Sequence, residues 1–439
     1  MAATQTLLQR YDLALRGARL NKRLGRIDKV IGLTIESRGP STKIGDVCII
    51  RAGDARESFC EVVGFKEGRV LLMPLGAVDG LSPGSTVEAT GDTLRVAVDH
   101  SLLGRVLDGL GRPIDGCGEI FCSDTAPTEQ TPPSPLDRPR IDSVLVSGVR
   151  VIDGLLTLGL GQRVGLFAGS GVGKSTLLGM VARNSSADVN VIALIGERGR
   201  EVREFIERDL GDAIEHSVVV VATSDQAPLL RIKGALVATA IAEYFRDEGH
   251  HVTLMMDSVT RFAMALREVG LAIGEPPTAR GYTPSVFATL PRLLERAGRS
   301  KVGSITGIYT VLTDGDDLQD PIADAVRGIL DGHIVLSREL ANRGHFPSVD
   351  PLLSVSRLMP ELVSDEHRRA AADVRGFMAA KRDVEDLIRI GAYQRGSDIL
   401  ADRALDIDSD LQRFLRQDVQ ETADFPTTVN QIIELTRGQ

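Results

Sequence analysis

The chain has 439 residues, 43% of them apolar and 25% charged, the composition of a folded protein of about three domains rather than a disordered or fibrous chain. With 51 basic against 60 acidic side chains the net charge is −9, the wrong sign for a protein whose main task is to coat nucleic acid. No run of about 18 apolar residues occurs, and Arg10 and Arg16 stand where a secretory leader needs an apolar stretch, so a cytoplasmic protein is expected. Cys48, Cys60, Cys117 and Cys122 are too few and too irregular for a disulfide framework. No histidine nearer than His100 joins Cys117 and Cys122 in a zinc set.

Residues 1–24 place Leu8, Tyr11 and Leu15 at helical spacing among Arg10, Arg16, Arg19, Lys22 and Arg23, a basic amphipathic arm. Such an arm either packs on its own domain or docks on a partner or an anionic membrane. From 25 to 95 the pattern becomes six short β-rich runs, Lys29–Ile35, Val47–Arg51, Phe59–Gly64, Val70–Pro74, Thr86–Ala89 and Leu94–Val98, the spacing of a small barrel. A third region, 96–363, contains Pro127, Pro132, Pro133, Pro135 and Pro139, an extended connector over 127–139. Beyond the connector, the apolar runs Val164–Ala168, Val189–Gly196, Val218–Ala222, His251–Asp257 and Ser304–Leu312 alternate with helical patterns, which predicts a parallel sheet covered on both faces. Residues 364–439 are expected to be helical, with helices over Glu366–Ile390 and Asp410–Gln420.

The most specific segment is Ala168, Gly169, Ser170, Gly171, Val172, Gly173, Lys174, Ser175 and the following Thr176, between the strand Val164–Phe167 and a helix. It fits the phosphate-binding loop, with Ala in place of the first Gly. The glycines let backbone N–H groups converge on phosphate oxygens, Lys174 neutralises β/γ charge, and the Ser175 hydroxyl can ligate Mg²⁺, so the ligand expected is ATP with Mg²⁺. Asp257, ending the run Val252–Met256, supplies a second carboxylate on the metal side. Glu197, after Val191–Gly196, is placed to polarise water, the bland alternative being a salt bridge to Arg198 or Arg200.

Taken together, the Ala168–Ser175 loop, Ile195-Gly-Glu-Arg-Gly-Arg-Glu201, Met256-Asp-Ser-Val-Thr-Arg261, Asp320-Pro-Ile-Ala-Asp324, Ser354-Val-Ser-Arg357 and the Gly104–Gly116 turn resemble the rotary-type ring ATPases, most closely the ATPases of flagellar type III protein export. The resemblance covers nearly the whole chain. It implies an α/β fold, a RecA-like P-loop core between an N-terminal β-barrel and a C-terminal helical domain, assembled as a homohexamer with ATP at subunit boundaries. Glu197 matches the catalytic glutamate, and Arg198 and Arg261 match basic residues near the γ-phosphate. Arg357 matches the arginine that reaches a neighbour's site, and Phe346 the aromatic that stacks on adenine, with Phe425 a second candidate.

The partners implied are a stator-like regulatory subunit at the arm, a central stalk protein, export chaperone–substrate complexes and an export gate at the membrane, and no nucleic acid. The implied location is the cytoplasm, peripherally at the inner face of the cell membrane. Asp314, Asp316, Asp317, Asp320 and Asp324 form an acidic cluster that either faces the ring's channel or is a solvated loop. The virulence injectisome ATPase is the near alternative and the catalytic subunit of an ATP synthase a more distant one. A Rho-like translocase lacks support, since aromatics are only 4% of the chain and give no stacking platform.

Overall fold

The structure, a computed structural model, describes residues 21–51, 57–76, 80–313 and 320–437, so residues 1–20 of the expected arm and Asp314, Asp316 and Asp317 lie outside the described residues. Two units separate after Leu94. In the first, strands β1 (Arg23–Ile31), β2 (Thr34–Arg38), β3 (Asp46–Arg51), β4 (Glu57–Lys66), β5 (Arg69–Pro74) and β6 (Thr86–Thr93) close into a barrel in the order β1-β2-β5-β4-β3-β6. Residues two apart point inward, so Cys48 and Ile50, Cys60 and Val62, and Val70 and Leu72 join Ile27, Ile35 and Val87 in its core. Cys48 faces Cys60 across β3 and β4. Burial pushes these thiols up to about 11 and about 12, which keeps both protonated and unreactive.

Two strand expectations are corrected here. The run Lys29–Ile35 is a hairpin rather than one strand, because Gly32 at φ +56° turns the chain and pairs Ile31 with Thr34. Leu94–Val98 is not a barrel strand: β7 (Arg95–Val98) belongs to the second unit, which continues with β8 (Val106–Asp108) and β9 (Asp124–Pro127), and β7 pairs with β9.

The rest of the second unit comprises β10 (Val144–Leu145), β11 (Leu158–Gly159), β12 (Arg163–Ala168), β13 (Val189–Ile195), β14 (Ser217–Ala222), β15 (His251–Asp257), β16 (Gly298–Arg299), β17 (Ser304–Leu312), β18 (Gly332–Leu336) and β19 (Val355–Ser356), with helices between. The main sheet runs β19-β18-β12-β17-β15-β13-β14-β8, parallel from β18 to β8, with β19 antiparallel at one edge and β16 paired to β17. Every residue of β13 and β14 is buried, as two-sided cover requires of the sequences VNVIALI and SVVVVA. The strand that follows β12 in sequence, β13, lies three places away, so the carboxyl ends of β12, β17, β15 and β13 open the kind of crevice where α/β sheets bind ligands.

The proline-rich connector is extended but tied down. The Thr128 carbonyl accepts from Arg296, itself in a bidentate pair with Glu243 at 2.9 and 2.7 Å and buried with it. Glu129 meets the buried Lys233 at 2.7 Å. At the C-terminus, helices span Asp365–Arg389, Ile399–Asp406, Asp408–Leu415 and Phe425–Thr436. The expected helix over Asp410–Gln420 stops at Leu415, and Asp424 starts another by accepting from the Thr427 N–H. Among the described residues no helix is long and apolar enough to cross a membrane.

Candidate active site

β12 ends at Ala168, whose carbonyl is held by the Thr313 N–H at 3.1 Å, and the chain then turns through Gly171 (φ +77°) and Gly173 (φ +91°) into the helix Lys174–Asn184. Glycine alone takes these conformations without strain, and they leave Ser170 and Gly171 exposed while Lys174, Ser175 and Thr176 sit half-buried at the helix start. The Ser348 hydroxyl donates to the Val172 carbonyl at 2.6 Å, bracing the loop from the side. Phe346 lies beside it: a Cβ on Gly173 would stand 3.5 Å from the Phe346 ring, which is 44% exposed.

Lys174 Nζ lies 2.5 Å from Asp257 Oδ1 and 3.5 Å from Glu197 Oε1, in a cluster whose three side chains are 13%, 4% and 15% exposed. Burial works against the Lys174 ammonium, but the two carboxylates outweigh it and raise its pKa. Burial and the neighbouring Asp257 push Glu197 up to about 7, against the pull of Lys174. The partner of Glu197 is therefore Lys174, not Arg198 or Arg200. A narrow cleft lined by Ser175, Glu197, Glu201 and Asp257 leads to these groups.

The remaining candidates divide. Arg261 lies beside the cluster: its side chain crosses Gly196, where a Cβ would come within 2.7 Å of Arg261 Cβ, and its Nε is buried with no hydrogen-bond partner among the described residues. Arg198 points outward, 77% exposed, 3.4 Å from Glu201. Arg357 is exposed at the opposite end of the strands: its N–H bonds the Asp331 carbonyl, and the Asp331 N–H bonds that of Arg163, at the start of β12. Five residues of strand, about 17 Å, separate that level from Ala168.

Phe425 is not brought together with Phe346. Its ring packs edge-on against His367 at 6.1 Å, and three residues before it Thr422 Oγ1 bonds Asn184 Oδ1. Asn184 ends the helix that Lys174 begins, about 15 Å away along its axis. The segment that does reach Phe346 is Gln417, whose N–H bonds the Phe346 carbonyl at 3.0 Å. Its buried side chain accepts from the Arg150 N–H and donates to the Gly148 and Glu421 carbonyls, each at 2.8 Å. Ser348, Gln417 and Thr310, which donates to Asp257 Oδ1 at 2.7 Å, escape a motif reading because each is a single polar residue without a spacing signature.

A P-loop at a sheet crevice, with a half-buried lysine between two carboxylates, defines a nucleotide-hydrolysing protein of the RecA-like class. Family models match 148–356 to the ATP synthase alpha/beta family, nucleotide-binding domain, 27–91 to its beta-barrel domain, and 363–434 to the T3SS EscN ATPase C-terminal domain. The chain is 56% identical over 423 residues to the flagellum-specific ATP synthase of Bacillus subtilis (strain 168), covering 95% of this chain and 96% of that one. Among solved structures, the assembled ATPase EscN of the enteropathogenic E. coli type III secretion system superposes with a TM-score of 0.89 at 47% identity, covering 94% of this chain and 99% of EscN. EscN in complex with its central stalk EscO gives 0.87 at the same identity and coverage. This chain belongs to the ATP synthase alpha/beta family as an ATPase of its type III export branch, on the flagellar side by its higher identity to the flagellar relative.

Proposed function

We propose that the chain hydrolyses Mg²⁺-ATP at the boundaries of a homohexameric ring, and that the hydrolysis releases or unfolds export substrates and their chaperones for delivery to an export gate at the membrane. One observation carries the shared-site reading: Arg357 is exposed, and its backbone sits at the level where β12 begins, about 17 Å back along the strand direction from the level of the P-loop. An arginine so placed serves a nucleotide only in the next subunit, where it stabilises charge developing during phosphoryl transfer.

Within one subunit, Lys174 leaves the carboxylates to meet the β- and γ-phosphates, and the phosphates lie on the N–H groups of Gly169–Ser175. The unpartnered Arg261 Nε offers a further donor to an anion. Glu197, whose pKa burial and Asp257 raise to about 7, takes the proton of the attacking water. The oxygen-only pair of the Ser175 hydroxyl and the Asp257 carboxylate suits Mg²⁺, which in such sites neutralises phosphate charge. Phe346 stacks on the base, and Arg198 turns inward from the rim. By analogy with EscN and EscO, a stalk protein occupies the ring's centre. The basic arm meets a stator-like subunit and keeps the ring, a cytoplasmic assembly, at the inner face of the membrane.

Mixing subunits tests the shared site. Arg357→Ala and Lys174→Ala rings are each expected to be nearly inactive. Rings assembled from both contain boundaries with an intact loop and an intact arginine, so activity returns in proportion to those boundaries. No recovery in rings shown to be mixed, or full turnover by a monomer, refutes the reading.

A further inference from the structure

β17 lies between the P-loop strand β12 and β15, which ends on Asp257. The register pairs Met256 with Tyr309, which brings Thr310 level with Asp257. Thr310 is fully buried, and its Oγ1 stands 2.7 Å from Asp257 Oδ1 and 3.2 Å from the Met256 carbonyl. A threonine hydroxyl has one proton to donate, and the carboxylate is both the nearer and the stronger acceptor.

Asp257 Oδ1 is therefore shared between Lys174 Nζ and the Thr310 hydroxyl. The two donors have different fates. Lys174 is the group that phosphates draw away, on a flexible four-carbon stem. Thr310 sits on a central strand whose residues Ser304–Val311 are all buried, and it cannot follow. Once a nucleotide has taken the ammonium, the hydroxyl of Thr310 is the side-chain donor still fixing Asp257. Asp257 Oδ2 accepts no hydrogen bond among the described residues, so one oxygen is anchored and the other is left for the metal side.

We propose that Thr310 is a positioning residue for the reaction: by pinning Asp257 through Oδ1 it makes nucleotide binding and turnover responsive to Mg²⁺. The inference rests on the Mg²⁺-ATP reading of the site and adds to it the residue that orients the metal-side carboxylate. Thr310→Val keeps the side chain's shape and removes the donor, whereas Thr310→Ser keeps the donor and removes a methyl group.

The test measures binding of a fluorescent ADP analogue in EDTA and in excess Mg²⁺, and turnover against Mg²⁺ concentration at saturating ATP. Thr310→Val is expected to bind in EDTA within about twofold of wild type, while the gain in affinity from Mg²⁺ falls, and the half-saturating Mg²⁺ concentration rises, by about tenfold, the scale of one hydrogen bond to a charged group. Thr310→Ser is expected to match wild type in both. Equal Mg²⁺ dependence in Thr310→Val and wild type overturns the inference, as does Thr310→Ser losing the coupling. Loss of affinity in EDTA by Thr310→Val as large as its loss in Mg²⁺ also overturns it, because a general packing defect weakens both. If Thr310→Val does not fold, Thr310→Ser against Thr310→Ala decides by the same criteria. A wild-type protein whose nucleotide affinity ignores Mg²⁺ refutes the underlying reading of the site instead.

Discussion

Replacing Glu197 by Gln removes a carboxylate that is expensive to ionise and that the proposed reaction needs ionised. The rise of its pKa from 4.5 to about 7 corresponds to about 3 kcal/mol of difference between the protonated and ionised forms in the folded protein. Because the folded value is the higher, the folded chain binds more protons than the unfolded one between pH 4.5 and 7, and stability contributed by the neutral form is lost as pH rises through that window. At pH 8 the wild type carries the full penalty, and Glu197→Gln does not. Allowing for the weaker contact that an amide makes with Lys174, the variant is expected to be about 1–3 kcal/mol more stable at pH 8 and to melt a few degrees higher, with the gain vanishing near pH 5. Turnover moves the other way. Loss of the group that accepts the water's proton costs about 10²–10⁴-fold in kcat, while ATP still binds within a few-fold. In the wild type, kcat/KM falls as pH drops through about 7, where the base becomes protonated. Melting curves at pH 5 and 8, beside steady-state turnover, check both halves. Turnover within a few-fold of wild type, or a melting gain equal at the two pH values, refutes the reasoning.

Phe346→Ala is expected to raise KM for ATP by about tenfold with kcat within about twofold, since stacking on a base holds ground and transition states alike; lost kcat at constant KM would show that the ring supports the chemistry instead. Two glycines separate strain from collision. Gly171→Ala meets nothing within 4 Å and costs only the strain of φ +77°, about 1 kcal/mol, whereas Gly196→Ala at φ +73° also drives its methyl into Arg261 at 2.7 Å. Gly196→Ala should therefore melt lower and lose more turnover, as melting curves and rates measured side by side will show.

The parallel sheet was readable because strands buried on both faces are largely apolar runs, most plainly Val218–Val221, that alternate with helical patterns. The barrel was readable as a class but not in register, because the hairpin around Gly32 is flanked by Ile31 and Leu33 and reads as one apolar run. Arg95–Val98 alternates correctly for a strand, yet alternation does not name a partner, and its partner lies at Asp124–Pro127. In the cluster that the structure brings together, Lys174 was legible because the phosphate loop fixes residue type and spacing, whereas Glu197 and Asp257, single carboxylates after apolar strands, were picked out only beside that loop and by the family resemblance. Phe425 misled because an aromatic in a helical region carries no spacing constraint; the return of the chain past Asn184 decides where it lies. Thr310 is hidden for the opposite reason: a single hydroxyl inside a buried strand shows its use only when the neighbouring strand is laid beside it.

Gln417 works as a mechanical linkage. Its four hydrogen bonds reach the Phe346 carbonyl, the Arg150 N–H, and the Gly148 and Glu421 carbonyls, so the Phe346 segment beside the P-loop and the C-terminal helices are fastened to one buried side chain and its own backbone. Parting all four costs about 2–6 kcal/mol, more than a thermal fluctuation supplies cheaply. A push on those helices is therefore transmitted to the backbone that carries the Phe346 ring. The position of Phe346 and the tilt of the C-terminal segment thus become one coordinate, so a load applied to the helices arrives first at the aromatic beside the P-loop.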